Sequence, residues 1–202
     1  MKINICIVNI MIFMLSFADI CTGAQSYRRE YDDYQPGMFN YYIGFEGVYN
    51  VIDYKLKNLE SKFSNNFAAE NFLIGVDVDN IFKLEVFYQY APSFKGKMIT
   101  SPTFGHIMNS FYSFGFGIAP YLKLHKYCDG IFSAGFLRQT AKAYSFNNTI
   151  RTTGNGFKIG FGVGLHLNSN LDLKIMYNQI VFTGYSDMKS SFSPTVGLVI
   201  KF

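Results

Sequence analysis

Seven ionisable side chains each directly follow a large apolar residue in the most regular apolar stretches of the chain. Both charge signs are present, so these groups can form ion pairs, and a file of them can also conduct protons or ions. Because an unpaired ion in a poorly hydrated interior is costly, we expect neighbouring opposite charges and favour a satisfied polar plug over an ion path. The predicted polar cluster consists of Glu46, Lys83, Glu85, Lys158, His166, Asp172 and Lys174.

Residues suited to nucleophilic or metal chemistry are sparse. The chain has three histidines, and no second His or Cys stands near His166 to complete a metal set, so neither a metal nor a cofactor is predicted. Ser101, His106 and Ser110 are the candidates for a lipid-modifying enzyme, but such a combination arises easily by chance. Cys128 is interpreted as an inert thiol in a short turn. We therefore predict no catalytic residues.

The composition narrows the class of protein. Aromatic residues make up 18% of the 202 residues, with 22 Phe and 15 Tyr, whereas charged residues make up only 16%. So apolar a chain is not expected to be disordered. The net charge is +4, and Lys and Arg are scattered rather than arranged in a stripe, so no nucleic-acid partner is expected.

From Phe39 onward, apolar and polar or small residues alternate with a period of two, which predicts β-strands. Short turns are predicted at 79–80, 125–129 and 169–170, and long polar connections at about 51–66, 91–107, 143–155 and 180–192. An even number of strands with short turns at one end and long loops at the other indicates an up-and-down barrel with both termini at the short-turn end. The eight predicted strands cover residues 41–50, 71–78, 82–90, 113–119, 130–142, 157–167, 171–178 and 195–202.

The period of two does not show which face of the sheet points outward, so we infer the outward face from the residue types on each face. The polar face mixes glycines with single charges, which suits the narrow interior of an eight-stranded barrel. The apolar face repeats Phe, Ile, Val and Leu, and tyrosines near strand ends are typical of membrane interfaces. We therefore predict an outward apolar face, as in an outer-membrane barrel, rather than the inward apolar face of a soluble lipocalin-like barrel. The tyrosines assigned to the interfaces are Tyr42, Tyr49, Tyr88, Tyr90, Tyr112 and Tyr177.

Four segments resemble the small outer-membrane barrels of Gram-negative bacteria, of the OmpA, OmpX and opacity-protein type. They are the opening "YYIGFEGVYN" (41–50), "YSFGFGI" (112–118), "FKIGFGVGLHL" (157–167) and the closing "TVGLVIKF". The resemblance implies an eight-stranded antiparallel transmembrane β-barrel in the bacterial outer membrane, with periplasmic termini. It also implies that the last strand is the signal read by the outer-membrane assembly machinery. The residues of that predicted assembly signal are Val196, Leu198, Ile200 and Phe202.

The first residues predict a cleaved secretory signal peptide. A short positive start is followed by the apolar stretch "INICIVNIMIFMLSF" (3–17) and by small residues before Gln25. A membrane anchor helix, or lipidation at Cys21, is the alternative interpretation of this stretch. The predicted organisation is a signal peptide at 1–24, a polar periplasmic leader at 25–38 and the barrel domain at 39–202.

The facing of Arg138 is left open by the sequence. An inward Arg138 would carry Phe132 and Phe136 inward with it, whereas an outward one could reach acidic lipid head groups near the rim. A bulge within the strand is a third alternative.

The function predicted from these features is that of a non-enzymatic outer-membrane protein with surface-exposed loops and a structural, adhesion or surface-antigen role. We expect contact with outer-membrane lipid, an extracellular or host ligand at the loops, and a monomer. One alternative is a barrel that transports small apolar molecules, which needs an apolar lumen near the loops; Val48, Leu73 and Phe87 are its only indications. A lipid-modifying enzyme at the rim and a soluble lipocalin-like binder are the others.

Overall fold

The computed structural model describes residues 39–55, 63, 65–78, 82–95, 108–145, 148–183 and 187–202. The predicted signal peptide and leader lie outside the described residues, so both remain predictions. Within the described residues there is no helix long and apolar enough to cross a membrane. The strands are β1 (Phe39–Tyr54), β2 (Asn66–Val78), β3 (Phe82–Lys95), β4 (Met108–His125), β5 (Cys128–Ser145), β6 (Asn148–His166), β7 (Leu171–Thr183) and β8 (Met188–Lys201).

The strands form one closed antiparallel barrel in which each strand pairs with its neighbours in the sequence, and β1 pairs with β8. This arrangement confirms the predicted fold class. Phe39 and Phe202 lie at the end of the barrel with the β2–β3, β4–β5 and β6–β7 connections, which we call the short-turn end. The opposite end, with the four other connections, is called the long-loop end. Closure leaves no strand edge unpaired, which a barrel in lipid requires.

Two connections predicted to be long are short, and the prediction is wrong at 143–155. There β5 continues to Ser145 and β6 begins at Asn148, so most of the predicted loop lies within strands. The β7–β8 connection is also shorter than predicted, because β7 ends at Thr183 and β8 begins at Met188. The first residues of β6, 148–156, are polar or small on both faces except for Ile150, so they show no apolar period. The end of β7 has apolar residues on both faces, with Ile180 and Phe182 inside and Val181 outside, so it also lacks the alternation that marks a strand.

The outward face is apolar in the central part of the strands, as predicted, and becomes polar on β4, β5 and β6 towards the long-loop end. Phe45, Phe114, Phe132 and Ile159 each expose 56–60% of their surface, although they belong to regular strands. Tyr42 is the exception to the prediction for the tyrosines, because it is 1% exposed and points into the lumen. Its position follows from register, since it lies one residue away from the outward Tyr41 and side chains alternate between faces.

Side chains fill the lumen, and the filling differs between the two ends. The half nearer the long-loop end contains an apolar cluster together with buried polar side chains such as Asn50, Asn109 and Gln139. Phe63 from the β1–β2 connection is buried there against Tyr54, with ring centroids 5.6 Å apart. Phe63 lies within the long polar connection predicted at 51–66, yet it is 1% exposed and belongs to the packing of the lumen. The apolar cluster of this half includes Ile52, Tyr54, Phe63, Phe67, Ala91, Phe111, Ala141, Ala143 and Met188.

Glycines on the inward face make room for these side chains. A Cβ atom on Gly44 would lie 2.8 Å from Leu73 Cδ1, which is closer than side chains tolerate. On the outward face of the same strand, the nearest atom to a Cβ on Gly47 would be the Val196 carbonyl oxygen at 3.8 Å, an ordinary contact. The inward glycines are therefore a packing requirement of a narrow barrel.

Candidate functional site

The centre of the lumen contains a buried ion triad formed by Lys174 of β7, Glu85 of β3 and Glu46 of β1. Lys174 Nζ lies 2.8 Å from Glu85 Oε1 and 3.4 Å from Glu46 Oε1. Tyr42 donates a hydrogen bond to Glu85 over 3.1 Å, and Asn71 donates one to Glu46 over 2.6 Å. One cation therefore bridges two carboxylates. Asn71 donates to the second oxygen of Glu46, whereas Tyr42 donates to the same Oε1 of Glu85 that contacts Lys174.

Two more lysines of the predicted cluster contact aromatic rings in the lumen. Lys158 Nζ lies 3.9 Å from the centroid of the Phe87 ring. Lys83 Nζ lies between Tyr42 and Tyr121, at 5.5 and 5.2 Å from their ring centroids. The negative faces of aromatic rings stabilise cations that have left water, so these contacts help to hold the lysines inside the barrel.

The structure separates His166 and Asp172 from the central triad and places them in a second cluster at the short-turn end. His166 Nδ1 lies 2.8 Å from Asp172 Oδ1, and its Nε2 lies 3.0 Å from Asp129 Oδ2. Lys201 Nζ lies 2.7 Å from the other oxygen of Asp172. The cluster links β5, β6, β7 and β8.

Asp129 and Lys201 were missed as members of this second cluster. His166 and Asp172 form a register pair across the β6–β7 turn, which the hairpin pattern could have revealed. Asp129 stands beside the predicted β4–β5 turn and Lys201 beside the C-terminus, so their approach depends on how the barrel closes. Sequence spacing carries no signal for that approach.

The space left between these side chains is too small for a solute. A gap of about 10 Å³ lies among Glu46, Glu85, Lys158 and Lys174, which is at the lower limit for one water molecule. The lumen is therefore closed by charged groups at its centre and by apolar side chains nearer the long-loop end.

The residues of the predicted assembly signal lie on the outward face of β8. Val196, Leu198, Ile200 and Phe202 are 53%, 45%, 38% and 71% exposed. The backbone N–H of Phe202 donates to the Tyr41 carbonyl over 2.9 Å, so the final residue closes the barrel against β1. Their recognition by the assembly machinery remains a prediction.

The structure resolves the facing of Arg138, which is exposed on the outer surface together with Phe132 and Phe136. Its register partners are Phe114 of β4 and Asn155 of β6. The sequence left this open because both faces of β5 carry large apolar residues, with Ile131 and Leu137 inside.

The candidates for catalysis are not assembled in the described part of the chain. Ser101 and His106 fall outside the described residues, and Ser110 is partly exposed near the start of β4. Cys128 is buried and is not part of a disulfide. Among the described residues there is no group of three His, Cys, Asp or Glu side chains that could hold a metal ion.

No protein-family model matches the chain, and no curated protein matches it by sequence. Solved structures do resemble it. Neisserial surface protein A is 16% identical with a TM-score of 0.61, covering 80% of this chain and 97% of its own. Ail, the attachment invasion locus protein of Yersinia pestis, is 16% identical with a TM-score of 0.54, covering 83% of this chain and 100% of its own.

The N-terminal β-barrel domain of Pseudomonas aeruginosa OprF is 12% identical, with a TM-score of 0.52, and covers 80% of this chain and 97% of its own. Identities this low establish the architecture rather than a shared activity. The chain therefore has the fold of the small eight-stranded outer-membrane β-barrels.

Proposed function

We propose that the protein is a non-enzymatic outer-membrane protein of a bacterial cell, with a barrel that anchors the connections of its long-loop end at the cell surface. The observation that carries this proposal is the belt of large apolar side chains around a closed and filled barrel. Monomeric soluble proteins rarely expose a continuous apolar surface of this extent. Contact with lipid hydrocarbon removes the free-energy cost of exposing this apolar surface to water.

The proposed orientation puts both termini in the periplasm and the long-loop end outside. In bacterial barrels of this kind the periplasmic turns are short and the extracellular loops are longer. The connections at 55–65 and 96–107 are the longest between strands, and they lie at the long-loop end. Loops on a rigid scaffold are where binding usually resides, which supports an adhesion or surface-antigen role.

The membrane location is tested by expressing the full chain and fractionating the cells. We expect the protein in the outer membrane, extracted only with detergent, and migrating differently on a gel before and after heating. Recovery of the mature chain as a folded monomer from the periplasm without detergent would refute the proposal.

The surface display is tested by treating intact cells with protease. We expect cleavage within the connection at 96–107 while the barrel fragment stays protected. Complete protection of intact cells, with cleavage after the outer membrane is opened, would show that the orientation is reversed.

The adhesion role is tested by replacing residues 56–62 and 97–106 with Gly-Ser segments of equal length. We expect these variants to lose binding to host cells. The matched control replaces residues 79–81 at the short-turn end and should bind as the parent does. Equal binding by all variants would leave the protein with a structural role only.

A second function, transport of small apolar molecules, is favoured by one observation. An apolar cluster larger than the three residues indicated by the sequence lies in the lumen near the long-loop end, beside buried polar side chains such as Asn109 and Gln139. The same side chains fill that space in this structure, so transport would require them to move. Uptake of a hydrocarbon by cells expressing the protein, lost on replacing Phe63 and Phe111 with charged residues, would establish it over the structural role.

A further inference from the structure

The outer surface of β4, β5 and β6 changes character in steps towards the long-loop end. The register places Phe116, Phe136 and Phe157 in one row across these strands. The next outward row contains Phe114, Arg138 and Asn155, with Thr183 of β7 beyond them. Above it come Tyr112, Thr140 and Thr153, and then Ser110, Lys142 and Arg151.

A groove crosses the lower two of these rows. It has a volume of about 280 Å³ and opens to the outside of the barrel. Its walls are mainly apolar, and its polar rim is formed by Arg138, Asn155 and Thr183. Phe136 and Phe157 pack edge to face in its wall, with ring centroids 5.2 Å apart. The shape and chemistry suit a hydrocarbon chain lying against the strands.

Three cations lie on the long-loop side of this groove: Arg138 lines its upper end, and Lys142 and Arg151 lie two rows above Arg138. Lys142 and Arg151 are direct register partners and converge on one side chain, Tyr112. Arg151 Nη2 donates to the Tyr112 hydroxyl over 3.2 Å, and Lys142 Nζ lies 5.5 Å from the centroid of the Tyr112 ring. Arg138 is two rows below Lys142 on the same strand, about 14 Å away at the usual rise of a strand.

The charge of this surface is one-sided. Among the residues of β4, β5 and β6, the single acidic residue is Asp129, which is buried at the opposite end with His166. Arginine and lysine placed at the edge of a hydrocarbon layer attract phosphate groups of lipids, and arginine binds them with two parallel hydrogen bonds. A groove with one arginine at its upper end and two more cations two rows further up is complementary to a phosphorylated head group above its acyl chain.

We propose that this face binds a phosphorylated membrane lipid, with its phosphate held between Arg138, Lys142 and Arg151 and an acyl chain in the groove below. The proposal rests on the proposed membrane location. It adds a defined lipid site on one side of the barrel, whereas location alone predicts only uniform contact with lipid.

The probe is phosphatidylglycerol, compared with diacylglycerol of the same acyl chains, titrated onto the detergent-purified protein and counted by native mass spectrometry. We expect the parent to retain phosphatidylglycerol preferentially. The triple variant Arg138→Gln, Lys142→Gln, Arg151→Gln should bind it at least tenfold more weakly. Lys189→Gln is the matched control, because Lys189 is exposed at the same end on β8 and pairs with Asp53.

A second variant tests the groove separately from the charges. Asn155→Trp places a bulky ring over the groove and leaves the three cations in place, and it should also weaken phosphatidylglycerol binding tenfold. Equal retention of both lipids by the parent, or an unchanged affinity in the triple variant, overturns the site. Competition by inorganic phosphate at the same concentration as the lipid also overturns it, since it would show a free-anion site.

Failure of this site is distinguishable from failure of the membrane location. Every variant is first checked for heat-modifiable migration and for recovery in the outer-membrane fraction. A parent that is correctly inserted but shows no lipid preference contradicts the lipid site alone. A parent that is never inserted contradicts the proposed function, on which the lipid site depends.

Discussion

At the level of single residues, the stability of the barrel depends on how its inward side chains are accommodated. Lys174 is buried between Glu46 and Glu85, and all three have left water. Replacing such a group with hydrophobic residues can be neutral, whereas removing one partner leaves an uncompensated charge. Inward glycines stabilise the barrel in another way, because they leave the space that neighbouring inward side chains occupy.

Lys174→Met is expected to destabilise the barrel by about 3–5 kcal/mol, because two buried carboxylates lose their bridging cation. The measurement is the urea midpoint of unfolding in lipid vesicles, followed by heat-modifiable migration. Lys189→Gln removes an exposed lysine and should leave the midpoint nearly unchanged. Adding Glu85→Gln to Lys174→Met should restore part of the loss; no restoration would mean that charge pairing is not what Lys174 supplies.

Gly44→Val is expected to destabilise by about 1–3 kcal/mol, since the new side chain overlaps Leu73 in the lumen. Gly47→Val, outward on the same strand, is the matched control and should be nearly neutral. Leu73→Ala should recover part of the stability of Gly44→Val, as judged by the same unfolding midpoint. Equal effects of both glycine variants would contradict the assignment of the two faces.

At the level of the elements, the polarity of the lipid-facing side chains along each strand depends on their depth in the membrane. In β4 that row runs from Ser110 at the long-loop end to Phe116, which is 57% exposed in the apolar belt. In β8 it ends at Phe202, beside β1. Depth and strand position therefore decide what a substitution on the outward face does.

Phe116→Arg is expected to destabilise by about 2–4 kcal/mol, because it places a charge in the hydrocarbon layer. Ser110→Arg, three rows nearer the long-loop end on the same strand face, should cost about 0–1 kcal/mol. Both are measured by unfolding in vesicles. A cost at Ser110 equal to that at Phe116 would move the boundary of the apolar belt towards the long loops.

Phe202→Ser is expected to lower the amount of folded barrel in the outer membrane several-fold in cells, while refolding of purified protein into detergent changes little. Phe39→Ser is the matched control, because Phe39 is 60% exposed on β1 at the same end of the barrel. Similar losses in both variants would indicate a general need for apolar contact and no special role for the last residue.

At the level of the whole molecule, the barrel is a closed cylinder with a filled centre and an apolar exterior. The apolar cluster near the long loops and the ion triad at mid-height block the lumen in series. Eight strands leave an interior that side chains just fill. The proposed functions therefore belong to the outer surfaces: the connections at one end and the lipid-facing side of β4, β5 and β6.

The purified protein in a planar bilayer is expected to show conductance near background, because side chains block the lumen at two levels. A sixteen-stranded porin in the same membrane serves as the positive control. Steady single-channel steps from the parent protein would contradict the filled lumen and favour the transport alternative.

The sequence alone was sufficient to predict the properties that depend on residues adjacent in the chain, such as the strands and the face on which each side chain lies. Alternation of side chains is local to each strand, so the period by itself assigns Phe45 and Gly44 to opposite faces. The closing strand and the number of strands follow from the same pattern. The extension of β6 was missed because its first residues, 148–156, are mostly polar or small on both faces. Arg138 was unassigned because both faces of its strand carry large apolar residues.

Only the tertiary structure decided which of the inward residues meet. Lys174 and Glu85 are 89 residues apart, and their contact depends on the stagger of the strands around the closed barrel. The same stagger separates His166 and Asp172 from the central triad and joins them to Asp129 and Lys201. The period of two determines which face a residue occupies. Closure of the barrel determines the height of that residue and its partners across the lumen, and closure is a property of the tertiary structure.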